Sequence, residues 1–172
     1  MKSKLAVPKS VVLLLLVLTN TIWAQDLYVH ESTGLKFPEK VGDFTRSSAG
    51  QNPLLGNTHI SYHRTDKRQQ TAITIYIGEK EGSLTQQRED LEASVLLFHS
   101  TAKVLARKNR RIGAYDGVIV VFQIPGEAGG EISEGCLFKV GQMTLKLRMT
   151  GPFSEKDKLL ASVQSLLTSV LK

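Results

Sequence analysis

The residues that could do chemistry in this 172-residue chain are four histidines, one cysteine and one serine–lysine pair. His59 and His63 are four apart in a stretch, Thr58 to Arg64, that alternates like a strand. At strand rise that spacing puts them on one face but about 13 Å apart, too far to share a metal ion, whereas on a helix it would chelate. His30 and His99 stand outside any ligand-spacing motif. Ser100 and Lys103 match the S-x-x-K element of acylating serine enzymes. That serine must open a helix and needs S-D-N and K-T-G companions. Ser100 reads as helix interior, and the chain holds neither companion. Cys136 falls on the inward face of a predicted hairpin, where a thiol behaves as a small hydrophobe. The glycine-rich stretch Pro125 to Gly130 lacks the lysine and following helix of a phosphate loop and reads as a hairpin connection. No pair of carboxylates has acid–base spacing. The expectation is a protein without catalytic residues, metal or cofactor.

One constellation remains: Lys103, Arg107, Lys108, Arg110 and Arg111. At the end of a helix these cations would complement the helix dipole. The sharper alternative is an anion-facing patch for phospholipid headgroups or an acidic protein partner. Nucleic acid is disfavoured, because no aromatic residues are interleaved for stacking.

The elements that would carry these residues follow from periodicity. Ser83 and Gln86 have capping-box spacing, and Leu84, Leu91, Val95, Phe98, Ala102 and Leu105 recur at helical steps. The spacing predicts a helix from Leu84 to about Arg107. A second helix follows Pro152, with Ser154 and Asp157 as its cap and Leu159, Leu160, Val163, Leu166, Leu167, Val170 and Leu171 as its apolar stripe. It should cover one face of a sheet. Ile60 and Tyr62 share a side of one strand, and Ile73, Ile75 and Ile77 share a side of the next, which makes a hairpin across Thr65 to Gln70. Gly117 to Ile124 is apolar on both faces, as a central strand is.

The sharpest local feature is Gly141-Gln142, a two-residue turn with glycine at its first central position. It sets Val140 opposite Met143, Phe138 opposite Leu145 and Cys136 opposite Leu147, all on one face. Lys139, Lys146 and Arg148 then fall on the other. Turn chemistry and hydrophobic alternation select the same register. Leu27 to His30 suggests a short edge strand, Gly34–Pro38 and Asp43–Arg46 bracket a turn, and Ser47 to Gly56 reads as a loop.

Ahead of these elements, cations at Lys2, Lys4 and Lys9 precede the apolar run Val11 to Leu18 and a small residue at Ala24. That is the form of a cleaved secretory signal spanning residues 1–24, and the run is short of the roughly 20 residues a permanent span needs. Its loss leaves 19 cations against 16 acids, a net charge of +3 in place of +6. That charge favours solubility and does not of itself indicate nucleic acid. The remainder, 25–172, has the length of one domain and, with a single cysteine, must be held by its core and not by a disulfide. The expected location is periplasmic or secreted, with no transmembrane segment after cleavage.

Strands, helix, strands, helix imply an α+β fold with a mainly antiparallel sheet. That layout, with the strand Gly34-Leu35-Lys36-Phe37-Pro38, resembles the PsbP-like fold of photosystem II extrinsic subunits and bacterial periplasmic lipoproteins. The resemblance implies a mid-chain helix, a meander of strands after it, and a last helix packed back on the sheet. It also implies a non-enzymatic adaptor or binding domain. The expected function is an exported adaptor contacting an envelope protein or an anionic membrane surface. A carrier of a small apolar ligand is the alternative, and an enzyme ranks third.

Overall fold

The computed structural model describes residues 27–172 apart from 53, 55, 66–69 and 80–81; the proposed export segment lies outside the described residues. The strands are β1 (Tyr28–Val29), β2 (Lys36–Phe37), β3 (Lys40–Val41), β4 (Phe44–Gln51), β5 (Thr58–Thr65), β6 (Gln70–Glu79), β7 (Lys103–Ile112), β8 (Tyr115–Ile124), β9 (Glu131–Val140) and β10 (Met143–Pro152). The helices are α1 (Leu84–Phe98) and α2 (Lys156–Val170). β1 and β2 form a small ribbon, and the other eight strands make one antiparallel sheet in the order β3-β4-β5-β6-β10-β9-β8-β7. The fold is α+β, as the element order implies.

Gly141 adopts φ 60°, the left-handed conformation that the first central residue of a tight hairpin turn needs. From that turn β9 and β10 pair with Val140 opposite Met143, Phe138 opposite Leu145 and Cys136 opposite Leu147. These residues share one face, buried except for the half-buried Met143, and are continuous with Ile73, Ile75 and Ile77 of β6 and with Ile60 and Tyr62 of β5. α2 covers that face through Leu159, Val163, Leu166, Leu167 and Val170, none more than 4% exposed. Each such side chain contributes about 1.5–3 kcal/mol on burial, before the entropy of ordering the helix is subtracted. At its start the Arg64 guanidinium meets Glu155 at 2.7 Å, and Lys158 pairs with Asp43. The Tyr62 hydroxyl donates to the Pro38 carbonyl at 2.8 Å, tying the N-terminal ribbon to the same layer. Burial pushes that phenol up to about 12.

The opposite face of β8 and β9 is covered by α1, whose Val95 and Leu91 pack on Val120 and Phe122. β8 is thus apolar on both sides because both sides are covered. Each helix rests on a strand glycine. A Cβ at Gly135 would lie 2.5 Å from the Leu91 side chain of α1, and one at Gly151 would lie 2.7 Å from Leu159 of α2. No helix among the described residues is long and apolar enough to cross a membrane.

Three expectations are corrected. The Ser83 hydroxyl caps α1 by accepting from the Gln86 amide at 3.1 Å, but the helix ends at Phe98 instead of Arg107. Residues Lys103–Ile112 are strand β7, because β8 would otherwise expose its backbone on its outer side. Ala102 and Leu105 matched a helical step by coincidence. Ser47 to Gly56 is not all loop: β4 continues to Gln51, absorbing a bulge between Arg46 and Ser48. Finally, Ser154 caps nothing; a short 3-10 turn at Phe153–Glu155 leads into α2 without a side-chain cap.

Seating helices on glycines makes a direct prediction. Gly135→Val and Gly151→Val should each destabilise by roughly 1–3 kcal/mol through overpacking. Gly50→Ala, where an added Cβ meets nothing within 4 Å, should change stability by less than about 0.5 kcal/mol. Urea unfolding monitored by circular dichroism reads all three.

Candidate functional site

The basic constellation singled out in the sequence lies on the open edge of the sheet. β7 is the terminal strand on one side, ten residues long, with β8 as its sole sheet neighbour. The opposite edge strand, β3, has two residues. A terminal strand presents every second backbone N–H and C=O outward, a template for another strand. The five cations therefore mark a sheet edge and not a helix terminus.

The pairing register sorts them between the two sides of the sheet. Arg107 and Arg111 pair with Val120 and Asp116, so they belong to the α1 side. Lys108 and Arg110 pair with Ile119 and Gly117 and belong to the α2 side. A bulge between Val104 and Ala106 leaves Leu105 out of the ladder. Arg107 reaches back to α1 and donates twice to Glu92, its Nε at 2.9 Å and its Nη2 at 2.6 Å. The guanidinium hydrogen bonds hold the Glu92 carboxyl below its ordinary range. This ion pair clips the edge strand to the helix and removes Arg107 from the set free to bind. Arg111 and Asp116 approach only to 3.8 Å in full solvent, which is worth little. Lys103 forms no ion pair among the described residues. The structure thus brings the five residues onto one strand but divides them between its sides.

Apolar residues flank the start of this edge. Leu97 and Phe98, the last residues of α1, are 79% and 77% exposed, and Leu105 is 48% exposed. Large side chains left this open beside an unpaired strand form a surface suited to a partner.

Beneath the edge lies a group the sequence reading missed. Glu134 on β9 is 6% exposed and faces the core between Ile132 and Cys136. Its Oε2 has no hydrogen-bond partner. Burial pushes its carboxyl up to about 7, against the pull of the Cys136 thiol hydrogen bond and the charges of Lys108 and Arg110. Burial, then the neighbouring Glu134, raises the Cys136 thiol well above its ordinary value, and the thiol is enclosed in the core. The alternation Ile132, Glu134, Cys136, Phe138 was available in the sequence and put the glutamate inward.

The other candidates scatter. Ser100 is an exposed turn residue between α1 and β7, not a helix residue and not at a helix start. His59 stacks against Tyr76 with ring centroids 5.1 Å apart and bonds Ser61 at 3.1 Å. His30 is buried in a turn, its Nδ1 2.8 Å from the Thr33 hydroxyl, and burial lowers its pKa. Pro125 to Gly130 connects β8 to β9 through a short 3-10 turn. No group of three or more His, Cys, Asp or Glu among the described residues could hold a metal ion.

Glu134 sets a pH dependence. Its folded pKa of about 7 lies above the ordinary 4.5, so the native state holds a proton that the unfolded chain releases. The associated stability is fully present below about pH 4.5 and is lost as pH rises through about 7. Stability should fall by on the order of 3 kcal/mol between pH 5 and pH 8.5, and Glu134→Gln should flatten that fall. Urea midpoints across this range check it; equal slopes in both proteins would contradict the assignment.

Comparison with protein-family models and with curated proteins returns no match to this chain.

Proposed function

We propose that this protein is an exported, non-catalytic adaptor that recognises another protein of the cell envelope through the β7 edge. The observation that carries the reading is the open ten-residue strand with cations along it and exposed apolar side chains at its start. A second copy is a poor occupant, because antiparallel pairing of two β7 edges would bring cation against cation. An extended segment bearing acidic side chains satisfies both the free backbone groups and the charge. The element order supports the PsbP-like resemblance, which points to the same class of activity. The cationic N-terminus and apolar run support export.

The carrier reading finds less support. The layer between α2 and the sheet is filled by side chains of essentially zero exposure, among them Phe37, Tyr62, Phe138 and Met149. Cys136 and Glu134, the reactive groups nearest the edge, are enclosed in that layer, which favours binding over catalysis.

A photo-crosslinking residue at Asn109, in the middle of β7, should capture a discrete envelope protein in living cells. Reversal of three of the four cations that do not hold Glu92, as Lys103→Glu, Lys108→Glu and Arg111→Glu together, should abolish that product while leaving the melting temperature within a few degrees. Capture that persists in the triple variant would overturn the reading. So would binding of the purified protein to vesicles of anionic phospholipid with no protein product.

A further inference from the structure

β7 offers different surfaces on its two sides. On the α1 side Arg107 is held by Glu92, and Arg111 has Asp116 and the Gly113 carbonyl beside it. On the α2 side Lys108 and Arg110 stand two residues apart, opposite Ile119 and Gly117. Both are exposed, and neither forms an ion pair among the described residues. The acid that feels both charges, Glu134, is buried on β9. Gly117 places no side chain beside Arg110, and Phe138 fills the space that one would need. Lys103 lies on the same side but beyond the bulge. Lys108 and Arg110 thus lack a counter-charge at the surface, at the roughly 7 Å spacing of alternate strand positions.

The start of the strand differs from its middle. Val104 packs with Val120 and Phe122 under α1, Leu105 is left out of the ladder, and Leu97 and Phe98 stand exposed just before it. Past the bulge the ladder runs unbroken from Ala106 to Ile112. Bulges and cations on an edge strand ordinarily keep other strands off. Here they make the edge selective. A neutral strand laid against it would take water from Lys108 and Arg110 without return, and a cationic one would be repelled. A strand with carboxylates at two alternate positions satisfies both, since directly opposite side chains on one face lie about 5 Å apart.

We propose that the edge takes an antiparallel strand in which two acids at alternate positions precede an apolar end, an inference that rests on the adaptor reading above. The acids lie on the α2 side, the first against Arg110 and the second against Lys108. The apolar end reaches Leu105 and the exposed Leu97 and Phe98. Positions on the α1 side carry no charge, because the cations they meet have partners of their own. Antiparallel pairing continues the pattern of the whole sheet and is slightly the more stable arrangement per residue. The recognised feature is therefore a spacing and not merely a negative charge. Two adjacent acids, placed on opposite sides of an added strand, cannot meet both cations.

The test is calorimetric titration of the protein purified after expression of the full chain. One probe is the amide of acetyl-Thr-Glu-Thr-Glu-Thr-Val-Leu-Ser; the other has the same composition with its acids adjacent, acetyl-Thr-Thr-Glu-Glu-Thr-Val-Leu-Ser amide. The alternating peptide should bind at least tenfold more tightly. Lys108→Gln with Arg110→Gln should remove that preference, whereas Arg111→Gln should change it less than twofold. These side chains are exposed, so each variant should melt with the parent. N-methylation of the two glutamates or of the threonine between them should abolish binding in one case only, because an added strand uses every second N–H. Absence of binding by the alternating peptide, equal affinity for the two peptides, an equal loss in Arg111→Gln, or equal effects of the two N-methylations would each overturn the proposal. None of these outcomes bears on capture at Asn109 in cells. Failure of that capture with the spacing preference intact would count against the adaptor reading alone.

Discussion

The structure depends on two places where a helix touches a strand with nothing between them but a glycine. At Gly135 the leucine of α1 lies against the backbone of β9, and at Gly151 the leucine of α2 does the same on β10 from the other side. These contacts let both layers close on a single sheet. They also explain why β8 can be apolar on both faces, a pattern that would expose a hydrophobic surface in any two-layer arrangement. Everything that could act on another molecule is placed by what this sandwich leaves uncovered: the outer side of β7, and the half of the sheet that α1 does not reach.

The two coverings differ in kind. α2 presents five buried aliphatic side chains and gains its position chiefly from hydrophobic burial, with ion pairs only at its start. α1 buries only Gln87 and Val95 and is held as well by Arg107 on Glu92, an ion pair from the edge strand. A cleft lies along its flank, lined by Leu91, Asp90, Tyr76 and Arg148 among others. The polar residue it buries, Gln87, is placed where that cleft forms.

Much of the sheet was legible in the sequence because its strands alternate and their turns are chemically explicit. Gly141 and the run from Cys136 to Leu147 specify one register twice over, and Ile60, Tyr62, Ile73, Ile75 and Ile77 announce their shared face. The edge was not legible. Lys103–Ile112 carries too few apolar residues to show period two, since most of this edge strand is exposed and has little to bury. Its identity comes from β8, whose bare flank needed a neighbour. β4 was hidden for a related reason, its Ser-Ser-Ala-Gly composition resembling a loop until β5 supplies the ladder. The five cations were found by composition, but their meaning waited on topology. Gln87 carries no signal of burial in the sequence, because only the position of Thr144 shows what it faces.

The strand order also has a kinetic meaning. β4 to β6 and β7 to β10 are two meanders in which every pairing is between chain neighbours, and such hairpins close quickly. They meet along one seam, where Ala72 pairs with Thr150 and Glu79 with Met143. Among the described residues that seam is the sole pairing in the large sheet between strands distant in sequence, so its closure carries the largest loop-entropy cost of the sheet. Until β6 and β10 join, each half has two open edges in place of one. The time spent before the seam zips is the interval in which a newly made chain is most exposed to pairing with the wrong partner.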